Sequence, residues 1–137
     1  MAQVIDASVA IAWCVPSQAD SLTDAALQAV IENGGVVPSA FWFEVLYGLA
    51  GLQRRRIVSP ESVETFVIDL SELSITVDAA LTAAEMISLR KVASRHGLSI
   101  FDASYLDLAL RAEMPIATRD KSLAEAARRA GARLFTV

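Results

Sequence analysis

The chain has 137 residues, of which 54% are hydrophobic and 20% charged, with a net charge of −4 and one cysteine. This length predicts a single domain over residues 1–137. The acidic balance excludes a global basic field for nucleic acid, and the lone Cys14 excludes an internal disulfide. No signal peptide is evident, so we expect a cytoplasmic protein. The apolar surplus indicates that a partner or a second copy covers part of the surface.

Short apolar strands alternate with helices in the first half of the sequence. The predicted elements are a strand at 3–5, a buried helix at 9–15, a helix at 17–33, a strand at 36–37 and a helix from Ser39, its cap, to about 55. Asn33-Gly34-Gly35 ends the second helix, because glycine readily adopts the backbone conformation that follows a helix.

The second half continues the alternation. Its predicted elements are a helix at 60–70 capped by Ser59, a strand at 74–77, a helix at 78–96 capped by Asp78, a helix from 99 to the Met114-Pro115 break, a strand at 116–118, a helix at 120–131 and a strand at 133–135. In the helix at 78–96, the inward positions are predicted to be Ala80, Ala83, Ala84 and Ile87. The pattern predicts an α/β fold: a three-layer α/β/α sandwich with a short parallel sheet of about five strands flanked by helices.

Glu44 is the only charged side chain between Glu32 and Arg54. It shares a helical face with apolar or very small residues, namely Phe41, Tyr47, Gly48 and Gly51. A carboxylate on a packed face must be protonated, paired or bound to a cation, because burial of an uncompensated charge is costly. A buried salt bridge with one of Arg54 to Arg56 is the alternative explanation.

Four acids are predicted to meet at one edge of the sheet, where parallel sheets bind ligands. Asp6 ends the first strand, Glu44 lies on the helix after the second, Asp102 lies in the first turn of its helix and Asp120 follows the fourth strand. Asp107 is rotated by about 140° from Asp102, so we expect it to face solvent.

Three of these acids also have ordinary structural explanations. Asp6 could close a turn, Asp102 could complete a capping box with Ser99, and Asp120 could cap its helix. Convergence favours the metal-site hypothesis, because two carboxylates about 4 Å apart repel by roughly 4 kcal/mol at an effective dielectric of 20. Such a cluster needs a cation or raised pKa values.

An all-oxygen ligand set suits Mg²⁺ or Mn²⁺. The only histidine, His96, and the only cysteine, Cys14, cannot make a zinc site. The same scarcity argues against a Ser-His or Cys-His nucleophile. A divalent ion held by carboxylates commonly serves phosphate chemistry, since it activates water and neutralises phosphate oxygens.

The four acids stand in stretches that resemble the PIN-domain ribonucleases and, more closely, the VapC toxins of bacterial type II toxin–antitoxin pairs. These stretches are VIDASV around Asp6, PSAFWFEVLYGL around Glu44, GLSIFDASYLDLAL around Asp102 and ATRDKSL around Asp120. The similarity extends over essentially the whole chain, and the four motifs occur in the family's order.

The resemblance implies a PIN-like sandwich and a Mg²⁺- or Mn²⁺-dependent endoribonuclease that leaves a 5′-phosphate. It implies that Asp6, Glu44, Asp102 and Asp120 are the catalytic and metal-binding residues. Ser8 and Thr118 match supporting hydroxyl positions, although turn hydrogen bonding explains them equally well. The resemblance also implies a homodimer and a cognate antitoxin, whose C-terminal tail would cover the acidic groove.

RNA must reach an acidic protein, so local cations matter more than the net charge. Arg54, Arg55 and Arg56 follow the Glu44 helix, while Arg119 and Lys121 flank Asp120, and these are candidate phosphate contacts. For the arginine triplet, a solvated helix end favoured by the helix dipole is an equal alternative.

Other classes compete with the nuclease hypothesis. A haloacid-dehalogenase-type phosphotransferase needs a second aspartate where this chain has Ser8, and a response-regulator receiver needs an acidic pair after the first strand and a lysine after the last one. A catalytically inactive PIN-like interaction module, which binds RNA or a basic antitoxin peptide, remains the alternative.

Overall fold

The sheet is the frame that positions the acids. The computed structural model of the chain describes residues 1–78 and 81–137. Its strands are Gln3–Ile5 (β1), Gly35–Val37 (β2), Ile75–Val77 (β3) and Ile116–Ala117 (β4). The order across the sheet is β3-β2-β1-β4, and every neighbouring pair is parallel. Parallel pairing requires crossover connections, which the helices provide.

Seven α-helices in the described part of the chain flank this sheet. They are Ala7–Cys14 (α1), Ser21–Asn33 (α2), Phe41–Arg54 (α3), Pro60–Glu72 (α4), Ala83–His96 (α5), Ile100–Ala112 (α6) and Lys121–Ala130 (α7). Helix α1 packs against α2 and α3, while α6 packs against α5, α7 and β1. None of these helices combines the length and apolarity needed to cross a bilayer.

The central strand β1 lies at the point where the strand order reverses. Its neighbours are β2, the next strand in the chain, and β4, the last one. In open parallel sheets, ligands bind beyond the carboxyl ends of the strands at such a switch point. Asp6 is the residue that follows β1 directly, so its carboxylate lies where this topology places a binding site.

The sequence predicts the α/β class, the first four strands and most helices correctly. Ser59 caps α4 by accepting a hydrogen bond from the N–H of Ser62, and Ser99 caps α6 by accepting one from the N–H of Asp102. Each serine stabilises the start of its helix, because its hydroxyl accepts a hydrogen bond from a backbone N–H group that would otherwise be unpaired.

The prediction of about five strands is wrong, because the sheet has four. The stretch predicted as a strand at 133–135 makes only an isolated parallel bridge between Ile116 and Leu134. The neighbouring strand β4 is two residues long, and only its first residue, Ile116, bridges to Leu134.

Some predicted helix starts are also wrong. Helix α3 begins after Ala40 without a side-chain cap, so Ser39 does not cap it. Helix α2 begins after Asp20, which forms a capping box with Thr23, rather than at residue 17. In both cases the helix starts later than its periodicity suggests, since a cap or a local turn decides the boundary.

Helix α5 begins after Thr82, not after Asp78. Thr82 and Glu85 form a capping box that fixes this start. The buried residues of α5 are Leu89 and Ala93, so the predicted inward stripe is wrong: the exposed residues include Ala83, Ala84 and Ile87. The fourth predicted position, Ala80, lies outside the described residues.

Candidate active site

A cavity of about 680 Å³ opens at the carboxyl end of β1, and its lining includes all four predicted acids. Asp6 comes from the β1–α1 junction, Glu44 from α3, Asp102 from the first turn of α6 and Asp120 from the start of α7. Residues separated by more than a hundred positions in sequence therefore face one space. The structure brings together the carboxylates that the sequence marks.

Asp6 is held by two hydroxyl groups. Ser8 Oγ and Thr118 Oγ1 both donate to Asp6 Oδ2, over 2.5 Å and 2.8 Å. The same hydroxyl oxygens accept hydrogen bonds from the backbone N–H groups of Arg119 and Asp120. Ser8 and Thr118 therefore tie the end of β1 to the loop that carries Asp120, and they fix the carboxylate of Asp6, which is 5% exposed.

Glu44 is half-buried and is paired with a tyrosine, not with an arginine. The hydroxyl of Tyr105 donates to Glu44 Oε1 over 3.0 Å. Burial, together with the nearby Glu44 and Asp6 carboxylates, raises the pKa of Tyr105, so its O–H stays protonated as a donor. A salt bridge from Glu44 to Arg54, Arg55 or Arg56 does not occur among the described residues.

The face of α3 around Glu44 is only partly packed. Phe41 is fully buried, whereas Tyr47 is 78% exposed. Gly48 lies against Ile11 of α1 so closely that a Cβ atom there would clash with the Ile11 side chain. The missing side chain lets α3 approach α1, which brings Glu44 close to the β1 end.

Asp102 and Asp120 occupy helix N-termini, where orphan N–H groups favour negative charge. Asp120 caps α7, because its Oδ1 accepts hydrogen bonds from the N–H groups of Ser122 and Leu123 over 2.8 Å and 3.2 Å. The capping explanation for Asp120 is therefore correct, and it coexists with a position on the cavity wall.

The acids influence one another electrostatically. Burial raises the pKa of Asp6; the hydroxyls of Ser8 and Thr118 oppose this rise, and the charges of Asp102 and Asp120 add to it. Burial also raises the pKa of Asp102, and the charge of Asp120 acts in the same direction.

Glu44 behaves in the same way. Burial raises its pKa, the hydrogen bond from Tyr105 opposes the rise, and the charges of Asp6 and Asp102 increase it. The cavity thus concentrates negative charge that the surrounding protein only partly compensates.

A family model described as PIN domain matches residues 4–129 of this sequence. The chain belongs to the PIN-domain family. PIN domains are generally nucleases and generally use divalent metal ions, so the acidic cavity lies in a nuclease-like fold.

Solved structures support the same fold. The crystal structure of PAE2754 from Pyrobaculum aerophilum matches this PIN domain with a TM-score of 0.66 and 18% identity, over 92% of this chain and 84% of that one. The crystal structure of FitAcB from Neisseria gonorrhoeae matches with a TM-score of 0.63 and 19% identity, over 97% and 96% of the two chains. No curated protein matches the sequence at a significant level.

The chemistry of the acidic cavity fits a hard divalent cation. Its donors are carboxylate oxygens supported by hydroxyls, the ligand type that Mg²⁺ and Mn²⁺ prefer. Across residues 1–78 and 81–137, no three His, Cys, Asp or Glu side chains stand close enough to hold an ion as they are arranged. Binding of an ion would therefore require side-chain rotations that bring the carboxylate oxygens closer together.

The five predicted RNA contacts lie outside this cavity, whose described lining contains no lysine or arginine. Arg54, Arg55 and Arg56 are exposed at the end of α3. Arg119 is exposed and donates to Gln18 Oε1 over 3.3 Å, and Lys121 is exposed at the start of α7.

Sequence reasoning missed the role of Tyr105. Tyr105 lies three residues after Asp102 on α6 and is fully buried, yet its hydrogen-bond partner is Glu44 on α3. The available signal is a tyrosine close to an acid in a mostly apolar helix, because a buried phenol normally finds a hydrogen-bond partner.

The prediction that Asp107 faces solvent is wrong, since it is 3% exposed. Asp107 accepts hydrogen bonds from Ser88 and from Arg111 Nε, over 3.0 Å and 2.9 Å. Arg111 also pairs with Asp78 and Glu85. Packing of α5 against α6 buries the side of α6 that isolated helix geometry assigned to water. We name Asp78, Glu85, Asp107 and Arg111 the Arg111 cluster.

Proposed function

We propose that this PIN domain is a Mg²⁺- or Mn²⁺-dependent endoribonuclease that hydrolyses RNA phosphodiester bonds. We further propose that it is the VapC-type toxin of a toxin–antitoxin pair. The observation that carries the nuclease proposal is the cavity that four carboxylates from distant parts of the chain line together. The motif resemblance supports the toxin assignment.

The proposed metal ligands are Asp6, Glu44, Asp102 and Asp120. When bound there, a divalent ion would supply an oriented water and compensate the negative charge of the phosphate. The chain's own residues prepare that site. Ser8 and Thr118 fix the carboxylate of Asp6, and Tyr105 fixes that of Glu44.

A carboxylate of the cavity is proposed to act as the general base. Asp102 or Asp120 would accept the proton of the attacking water. The backbone N–H groups of Ser122 and Leu123 hold Asp120 Oδ1, so Oδ2 is the oxygen of Asp120 that is proposed to serve the chemistry. In-line attack would release a 3′-hydroxyl and leave a 5′-phosphate.

The proposal includes partners and a compartment. We expect a homodimer, a cognate antitoxin over the acidic groove and a cytoplasmic location. Exposed apolar side chains outside the cavity, including Ile68 on α4 and Met86 and Ile87 on α5, offer surface for protein contacts.

Cleavage of an end-labelled RNA tests the nuclease proposal. The purified protein should cut it with Mg²⁺ or Mn²⁺, stop when EDTA is added, and leave 5′-phosphate ends that a ligase accepts. Asp6→Asn should lower the rate at least about a hundredfold, because it removes a charged ligand. The matched control is Asp69→Asn, which changes an exposed acid on α4 and should cleave normally.

Cleavage that continues at full rate in EDTA, or a fully active Asp6→Asn protein, would refute the proposal. If the protein binds the ion and RNA but leaves the strand intact with every RNA tried, the chain is the catalytically inactive interaction module instead.

A further inference from the structure

Three aromatic rings stand at the cavity that contains the four acids. Phe43 and Tyr47 lie on α3, and Phe101 lies at the start of α6. Their exposed fractions are 77%, 78% and 57%. Burying a large aromatic side chain is favourable, so rings left in water at a functional cavity indicate a surface made for contact.

The rings are adjacent to the acids in the chain as well as in space. Phe43 precedes Glu44, and Phe101 precedes Asp102. Phe43 and Tyr47 are four residues apart on one helix, a spacing at which side chains are neighbours. A molecule that occupies this cavity therefore meets aromatic surface beside the acids.

The same cavity lacks the usual means of holding a nucleic acid backbone. No lysine or arginine is among its described lining residues, and the candidate cations lie elsewhere. Proteins that hold single strands combine basic grooves with aromatic rings on which the bases stack. Here the rings are present without the basic groove.

We propose that Phe43, Tyr47 and Phe101 form a stacking platform that holds unpaired bases of the RNA next to the phosphate cleaved at the acidic cavity. This inference rests on the proposed nuclease function and defines its substrate as a strand with unstacked bases. In a duplex the faces of the bases are already stacked on their neighbours, so the platform selects against paired RNA.

In the active enzyme, the position of the rings favours RNA as their occupant. A protein seated on them, whether a second copy or the proposed antitoxin, would cover the mouth of the cavity and block the acids. A substrate base, in contrast, leaves with each product. The rings are thus available to the substrate in an active enzyme.

The test separates binding from cleavage. Binding of a fluorescein-labelled octa-adenylate is followed by anisotropy in Mn²⁺, with the Asp6→Asn protein as background so that the strand stays intact. Phe43→Ala and Tyr47→Ala should each raise the dissociation constant between about fivefold and a hundredfold. In the otherwise unchanged protein, the same variants should raise KM more than they lower kcat, because they remove ground-state contacts.

Matched variants distinguish stacking from general apolar contact. Tyr47→Phe keeps the ring and should bind normally, whereas Tyr47→Leu keeps apolar area without a ring and should bind like Tyr47→Ala. Ile31→Ala removes an apolar side chain of α2 that is 58% exposed, close to the 57% of Phe101, and lies outside the cavity, so it should have no effect.

The salt dependence of RNA binding is a second test of the platform. With few phosphate–cation contacts, the slope of log K against log salt should be no steeper than about −1.4, which corresponds to two neutralised phosphates on a single strand. A slope several times steeper would mean that exposed arginines hold the RNA, and it would overturn the inference.

Two other outcomes would also contradict the platform. One is unchanged binding by Phe43→Ala and Tyr47→Ala. The other is dissociation of a stable dimer by these variants in sedimentation velocity, which would show that the rings bind a second copy. Either result leaves the nuclease proposal intact if the unaltered protein cleaves RNA, while ring-dependent binding without any cleavage would refute only the nuclease proposal.

Discussion

This PIN domain contains two clusters of carboxylates that solve the same electrostatic problem differently. In the Arg111 cluster, one guanidinium contacts Asp78, Glu85 and Asp107 over 2.9 Å, 3.1 Å and 2.9 Å. In the acidic cavity, four carboxylates share one space, and the side-chain partners found there are hydroxyl groups.

The difference separates a structural cluster from the one that we propose as a cation site. The Arg111 cluster carries its own cation and links α6 to α5 and to the end of β3, so it is complete in the folded chain. The acidic cavity lacks a built-in cation among the described residues, and burial, together with mutual repulsion, raises the pKa values of Asp6, Glu44 and Asp102. A site that binds a cation from solution requires carboxylates that no cationic side chain of the protein neutralises.

Removing the built-in cation should produce the largest stability change of this comparison. Arg111→Met leaves the nearly buried Asp107 without its ion-pair partner. Breaking a buried pair costs roughly 3–5 kcal/mol, and because the Arg111 side chain is 29% exposed we expect a loss of about 2 kcal/mol. Urea unfolding measures this loss of free energy.

The control for that experiment is Arg95→Met, which changes an exposed arginine of α5 that forms no salt bridge among the described residues. It should change the free energy of unfolding by less than about 0.5 kcal/mol. Equal effects of the two substitutions would mean that the Arg111 cluster does not stabilise the fold.

A smaller effect is expected in the pH dependence of the metal-free protein. The raised pKa values of Asp6, Glu44 and Asp102 mean that the folded state binds more protons than the unfolded state between about pH 4, the ordinary carboxyl value, and the raised values. Linkage then makes the free energy of unfolding fall as pH rises through this window.

The measurement is urea unfolding in EDTA at a series of pH values, for the original protein and for Asp6→Asn. The variant should show a shallower decline, because its amide does not titrate and no longer raises the pKa of Glu44. Contributions from groups that do not interact with Asp6 cancel in the difference. An equally steep decline in both proteins would show that Asp6 does not carry the repulsion.

The sequence predicts well whatever depends on local patterns. Apolar runs locate the strands, Ser59 and Ser99 mark helix starts, and Asp6, Asp102 and Asp120 stand at ends of elements, where topology makes their convergence foreseeable. These features can be predicted because helix caps and strand ends depend on residues that are neighbours in the sequence.

What the sequence did not reveal depends on contacts between distant segments. The periodicity of α6 assigns Asp107 to solvent, yet α5 covers that face and supplies Ser88 beside it. Tyr105 and Glu44 are 61 positions apart, and their hydrogen bond follows only from how α3 and α6 pack.

The central claim is that Asp6, Glu44, Asp102 and Asp120 form one site for a divalent cation. Its most direct test is a Mn²⁺ titration in which electron paramagnetic resonance reports the free ion. The account predicts that Asp6→Asn, Glu44→Gln, Asp102→Asn and Asp120→Asn each weaken Mn²⁺ binding, while Asp69→Asn on α4 does not. Binding that is the same in all five variants as in the original protein would contradict it.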